Sequence, residues 1–256
     1  MFRSSSQRLR ALLISVSLTL LTAGITVTTT AAQDPATSIS ELGQYSGYST
    51  PQYSGSVRTS QYVAVRDGTR LAVDVYRPIV DDAAVEGTLP VLLTFERYHR
   101  ARMSPDGSIQ TQEQLWPFVT TWLSHGYVVV AADMRGTGAS FGTRPGEFLD
   151  VDSTDAADLI DWITAQPWSD GNIGMYGLSY PGMTQWLAAG AAPVGLKAIV
   201  PAMTMFDLYS FSYPGGVFLD DALDIWANST NEFLDKQLPP VPVDEDTDGS
   251  LARAAQ

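Results

Sequence analysis

The sequence predicts an α/β fold, a mostly parallel sheet with helices on both faces. Three observations predict it. A hairpin signal opens the ordered part of the chain. Short, uninterrupted apolar runs follow, each the length of a buried strand. Stretches of helical period separate those runs.

The elements read in order. Tyr62-Val63-Ala64-Val65 and Leu71-Ala72-Val73-Asp74-Val75-Tyr76 alternate as strands, with the turn pair Asp67-Gly68 between them. Pro78 closes the second run. Residues 89–95 form an apolar run interrupted by Thr94, as a strand buried on both faces would be. Residues 112–124 are helix-like. Gly126 then introduces Tyr127-Val128-Val129-Val130-Ala131-Ala132, the clearest buried strand in the chain. Residues 152–165 form a second helix pattern. Leu159, Ile160, Trp162 and Ile163 share one face, and acids crowd the first turn, where the helix dipole favours them. Asp170-Gly171-Asn172 turns the chain into Ile173-Gly174-Met175-Tyr176. A helix starts after Tyr180, with Pro181 tolerated in its first turn. Residues 196–200 are a short strand. Beyond Pro201 the character changes to aromatics, the turn Pro214-Gly215-Gly216, a helix-like stretch over 218–238 and a Pro-rich acidic tail.

The expected organisation has four parts. Residues 1–32 read as a signal peptide: Arg3, Arg8 and Arg10 precede an apolar run over 11–27, and Thr30-Ala31-Ala32 supplies small residues for cleavage. The rival reading is a membrane anchor, disfavoured by Ser/Thr content and borderline length. Residues 33–60 are a polar, flexible lead-in. Residues 61–206 are the α/β core. Residues 207–256 begin a helical cap. Secretion or a periplasmic location follows from the leader.

Composition excludes several functions. The chain has 256 residues with 15 Lys+Arg against 28 Asp+Glu, a net charge of -13 that repels nucleic-acid phosphates. No cysteine is present, so thiolate metal sites and a cysteine nucleophile are excluded. With His99 and His125 as the two histidines, a multi-histidine metal cage is excluded as well. Asp244-Glu245-Asp246-Thr247-Asp248-Gly249 matches the first half of a calcium loop, but Ala255 stands where the bidentate Glu belongs, so an acidic helix entry is the plainer reading. Gly136-Thr137-Gly138 fails the dinucleotide pattern because Phe141 holds its last position. No cofactor and no metal are expected. Asn228-Ser229-Thr230 is a glycosylation sequon without meaning in a bacterial source.

Gly177-Leu178-Ser179-Tyr180-Pro181-Gly182 carries the chemistry. It fits the nucleophile elbow G-x-S-x-G with the second glycine one place later, after a strand and before a helix. That turn lifts the Ser179 hydroxyl clear of the sheet. It also aims the Tyr180 backbone N–H at an incoming oxyanion. The bland alternative is a glycine-rich turn with an idle serine. Ligands gather at the carboxyl ends of parallel strands. Glu96, Arg97, Tyr98 and His99 end one strand, and Asp133 and Arg135 end another, so all share the rim with Ser179. Tyr98 offers a phenol to an oxyanion, and His99 is an unorthodox candidate base. Asp133 and Arg135 read as a structural charge pair. His125 precedes its strand, on the opposite edge, as a cation at a helix C-terminus. The aromatics Phe206, Tyr209, Phe211, Tyr213 and Trp226 suit either an acyl pocket or the cap's own core.

The runs Arg66-Asp67-Gly68-Thr69-Arg70-Leu71-Ala72-Val73-Asp74-Val75-Tyr76-Arg77-Pro78 and Asp133-Met134-Arg135-Gly136-Thr137-Gly138-Ala139-Ser140, with the elbow and the Trp168-Ser169-Asp170-Gly171-Asn172 stretch before it, resemble the cocaine-esterase-like hydrolases. These are relatives of X-prolyl dipeptidyl peptidases and α-amino-acid ester hydrolases. The resemblance implies an α/β-hydrolase core with a helical cap, incomplete at the C-terminus. It maps the nucleophile onto Ser179 and the oxyanion donors onto the Tyr180 N–H and the Tyr98 hydroxyl. It implies an ester or short peptide as substrate and an acyl-enzyme intermediate. The triad acid and histidine of this family come after the cap, and no histidine follows His125, so the chain is expected to be nearly inactive alone. Asp207 follows the serine but leads into the cap. A non-catalytic secreted binding protein, or a remnant of the same fold, is the competing reading.

Overall fold

The computed structural model describes residues 49–256. The predicted signal peptide and residues 33–48 of the lead-in lie outside the described residues.

Strands β1 (Ser56–Ala64), β2 (Arg70–Val80) and β3 (Ala83–Ala84) open the fold, followed by β4 (Leu89–Glu96) and a small ribbon of β5 (Arg102–Met103) and β6 (Ile109–Gln110). Helices α1 (Gln112–Leu115) and α2 (Phe118–Ser124) lead to β7 (Val128–Asp133). Then come α3 (Asp150–Thr164), β8 (Ser169–Leu178), α4 (Tyr180–Ala191) and β9 (Leu196–Ala202). Helix α5 (Leu208–Ser212) is followed by a helical rod made of α6 (Asp220–Ala227), a π-helical stretch (Asn228–Leu234) and α7 (Asp235–Gln237). Helix α8 (Ser250–Ala255) comes last.

The main sheet runs β1-β2-β7-β4-β8-β9, with β3 alongside β2. Strands β7, β4, β8 and β9 are mutually parallel, and β1 and β2 join antiparallel. The mostly parallel α/β-hydrolase sheet expected from sequence is therefore the one observed. From β4 the chain first builds outward to β7, then returns across β4 to add β8 and β9. The order reverses at β4, and in such sheets the ligand crevice opens at that reversal, beyond the carboxyl ends of the strands. Glu96-Arg97-Tyr98 and Ser179 leave the two adjacent strands that flank it.

Both faces are covered. Val128, Val130 and Ala132 of β7 join Leu159, Ile160 and Ile163 of α3 in one core. Val129 points to the other face, with Val119 and Leu123 of α2 and Tyr176. This two-sided burial explains the unbroken apolar run of β7.

Several expectations needed correction. Pro78 does not close the second strand, which runs on to Val80 because β1 and β3 pair with its end, at Ser56↔Pro78 and Ile79↔Ala84. The turn expected at Asp170-Gly171-Asn172 lies inside β8, which already begins at Ser169. The first strand begins at Ser56, not near Gln61, because its residues pair with β2 from Ser56↔Pro78 to Ala64↔Arg70. The single helix expected over 112–124 is two, broken at Trp116-Pro117, since Pro117 lacks the N–H a continuing helix needs. Asp133 and Arg135 do not pair with each other. Asp133 binds Arg100 at 3.0 Å, and Arg135 binds Asp155 and Asp67, each at 2.7 Å.

Candidate active site

The elbow forms as a tight turn. Ser179 holds φ 65° and ψ -121°, a left-handed conformation rare for a residue with a side chain. Its backbone is pinned on both sides: its N–H donates to Ala202 O at 2.9 Å, and its carbonyl accepts from the N–H of Gly182 at 2.9 Å and of Met183 at 3.1 Å. Tyr180 is the first residue of α4, so its N–H has no acceptor within the helix and faces the bend. The displaced second glycine has a reason. A Cβ at position 182 would stand 2.8 Å from Ala202 O, so α4 can lie this close to β9 only with glycine there.

Tyr98 arrives from the neighbouring strand β4. Its hydroxyl lies 3.0 Å from Ser179 Oγ, across 81 positions of sequence. The same hydroxyl accepts a hydrogen bond from Trp226 Nε1 at 3.2 Å. Tyr180 packs edge-on against Tyr98, stacks on Phe148 at 4.4 Å, and lies parallel to Trp226 at 6.1 Å. Burial pushes the Tyr180 phenol well up, and its hydroxyl donates to Glu147 at 2.7 Å.

Two cavities meet at the serine. The smaller, about 150 Å³, is lined by Phe148, Met183, Leu208, Phe211, Leu223 and Trp226. Its walls are apolar and suit an acyl chain. Of the five aromatics singled out in the sequence, Phe211 and Trp226 line it. Tyr209 instead stacks on Tyr213 at 4.9 Å, and Phe206 lies against Trp186. The larger cavity, about 560 Å³, runs past Glu96, His99, Trp116, Trp122 and Tyr176. Burial raises the Glu96 carboxyl to about 7, although Thr94 hydrogen-bonds it at 2.9 Å.

Other polar residues at the rim contact the helical rod. Arg97, 1% exposed, binds Asp235 at 2.8 Å and Asn231 at 2.7 Å, tying the helical rod over the site. Burial acts to raise the Asp235 carboxyl, but His99 and Arg97 outweigh it and hold the group below the usual range. His99 is buried, with Nε2 turned to Asp235 Oδ1 at 3.6 Å. His125 caps the C-terminus of α2, with Nδ1 2.9 Å from Ser49 Oγ. Asp207 caps α5, accepting from the N–H groups of Tyr209 and Ser210, each at 3.1 Å. Asp246 receives the N–H groups of Leu251 and Ala252 at the start of α8, which is the helix-entry reading of the acidic tail. Among the described residues, no cluster of three or more His, Asp or Glu side chains is placed to hold a metal ion, and no helix is long and apolar enough to cross a membrane. Sequence reasoning missed the Trp226–Tyr98 contact and the Arg97–Asp235 tie, for which local pattern holds no signal.

A family model described as X-Pro dipeptidyl-peptidase (S15 family) matches residues 67–251. The cocaine esterase of Rhodococcus sp. (strain MB1 Bresler) is 42% identical over 176 residues, covering 67% of this chain and 28% of that protein. A putative serine esterase of Mycobacterium bovis is 34% identical over 228 residues, covering 80% of this chain and 36% of that protein. The chain thus spans about a third of the length of these curated relatives. Among solved structures, a CocE/NonD family hydrolase from Staphylococcus aureus aligns with a TM-score of 0.50 at 27% identity, over 60% of this chain and 29% of the other. An α-amino acid ester hydrolase aligns with a TM-score of 0.50 at 25% identity, over 69% and 30%.

Proposed function

We propose, because the chain belongs to the X-Pro dipeptidyl-peptidase family S15, that Ser179 is the nucleophile of a secreted or periplasmic hydrolase of esters or short peptides. The observation that carries this reading is the 3.0 Å contact between Ser179 Oγ and the Tyr98 hydroxyl at a strained strand-to-helix bend.

In this mechanism Ser179 Oγ attacks the substrate carbonyl carbon, and the carbonyl oxygen takes up the negative charge. The Tyr180 N–H and the Tyr98 O–H donate to that oxyanion. Collapse expels the alcohol or amine and leaves an acyl-enzyme on Ser179. Water then releases the acid. The acyl group occupies the apolar cavity under Phe211 and Trp226. The leader composition supports export, and the acidic surface argues against a nucleic-acid partner.

A serine at neutral pH needs a base. His99 faces Asp235, and His125 sits at the C-terminus of α2. In the Ser…Asp…His chain order of α/β-hydrolases the base follows the nucleophile in sequence. We therefore expect the 256-residue polypeptide to react slowly, and a longer form carrying a downstream histidine to react quickly. A fluorophosphonate probe read by mass spectrometry tests this. Label is expected on Ser179 and absent in Ser179→Ala. Label on another residue, or fast labelling of the 256-residue chain that His99→Ala abolishes, would overturn the assignment. No label on any form, with ligand affinity kept in Ser179→Ala, would instead establish a binding protein.

A further inference from the structure

We propose that Trp226 is a positioning residue that fixes the direction of the Tyr98 hydroxyl proton, an inference that rests on the proposed role of Ser179. Among the described residues, Tyr98 Oη has two hydrogen-bond partners, Ser179 Oγ at 3.0 Å and Trp226 Nε1 at 3.2 Å. An indole N–H can only donate, and a phenol has one hydrogen. With Trp226 donating to Oη, and with Ser179 Oγ the one acceptor within reach of the phenol among the described residues, the phenol hydrogen points at Ser179 Oγ. Ser179 then accepts, and its own hydrogen is free to leave toward a base. The polarity runs Trp226 to Tyr98 to Ser179. As Oγ bonds to the substrate carbon, the adjacent oxyanion becomes the stronger acceptor, and the Tyr98 hydrogen turns to it. The reverse polarity would aim the serine hydrogen at Tyr98 and present a phenol lone pair to the oxyanion, which repels it.

The surrounding packing holds this donor in place. The Trp226 ring lies within 6° of parallel to Tyr180. The Tyr180 hydroxyl is itself fixed by Glu147, by the Phe148 N–H at 3.1 Å and by Arg144. Two consecutive residues of one loop grip the helical rod, Tyr98 at Trp226 and Arg97 at Asn231 and Asp235. In an α-helix, positions five apart diverge by about 140°. The π-helical stretch Asn228–Leu234 turns more slowly per residue and so reduces that divergence, and Trp226 and Asn231 both reach the loop. Arg97 holds the rod beside the indole.

A double-mutant cycle tests the proposal. Fluorophosphonate labelling rates are followed over hours in the unmodified chain, Trp226→Phe, Tyr98→Phe and the double variant. Phe at 226 keeps an aromatic stack and removes the N–H. The expected result is that Trp226→Phe slows labelling about tenfold, and slows it no further once Tyr98 is Phe. An unchanged rate in Trp226→Phe, or the same loss in the Tyr98→Phe background, would overturn the proposal, since a packing role does not depend on the phenol. A second readout needs no reactivity: the indole N–H proton resonance of Trp226, identified by its loss in Trp226→Phe. Tyr98→Phe is expected to shift it upfield and hasten its solvent exchange, and an unmoved resonance overturns the proposal. If no form takes label, the proposed function fails, and the indole resonance still decides the hydrogen bond.

Discussion

Glu96 shows how a single position acquires a property its residue type does not predict. It ends β4 one turn of loop before Tyr98, is 5% exposed, and borders the larger cavity beside Ser179. Burial dominates its environment. Thr94 and Arg102 favour the charged form, Asp133 opposes it, and the carboxyl rises to about 7. A carboxyl raised in the folded state binds its proton more tightly there than when unfolded. Its contribution to stability is full below the unfolded value near 4.5 and is lost as pH rises through 7. Between pH 4.5 and 7.5 this group alone should remove stability on the order of 3 kcal/mol. Glu96→Gln is expected to flatten that loss, read as the change in urea midpoint between pH 5.0 and 7.5. An equally steep loss in the variant would show that another group titrates.

At the level of elements, β8, the bend and α4 act as one unit. Gly177 takes φ 150°, and a Cβ there would lie 2.4 Å from Pro181 Cβ and 2.9 Å from its carbonyl carbon. Contacts that short involve backbone and a rigid ring, so neither partner can yield cheaply. Gly177→Ala is expected to cost about 2–4 kcal/mol in chemical denaturation. It should also slow labelling of Ser179, because relief of the clash must move the bend. The helical rod offers the complementary case. Its residues 218–238 read as one helix from pattern alone, and one rod is what forms. The π-helical stretch inside it, Asn228–Leu234, carries the Asn231 that binds Arg97, and no local sequence pattern marks it.

Across the whole molecule, Arg100 joins distant parts of the chain. It is wholly buried and binds Asp74 of β2 and Asp133 of β7, each at 3.0 Å. It also donates to Val241 O at 2.9 Å and to Ser60 Oγ at 3.2 Å, so the acidic tail, the first hairpin and the central strand converge on one guanidinium. Arg100→Met would leave buried carboxylates short of their countercharge, and breaking such a pair costs about 3–5 kcal/mol. Urea denaturation is expected to show that loss, with partial recovery when Asp133→Asn is added. Loss within 1 kcal/mol would mean that water or Arg58 replaces the guanidinium.

What the sequence determined by itself was local: which apolar runs become strands, which stretches become helical, and that Ser179 stands between a strand and a helix. Those features follow from periodicity, turn chemistry and the glycines of the elbow, all of which act over a few residues. The motif order also sufficed to identify the family. Only the tertiary structure decided the pairings. Asp133 and Arg135, two apart, face different partners because one is turned into the sheet and the other toward α3. Tyr98, Ser179 and Trp226 meet although up to 128 positions separate them. Strand order and helix register bring such groups within 3 Å or so, and those are set by burial of whole faces rather than by any neighbouring residue.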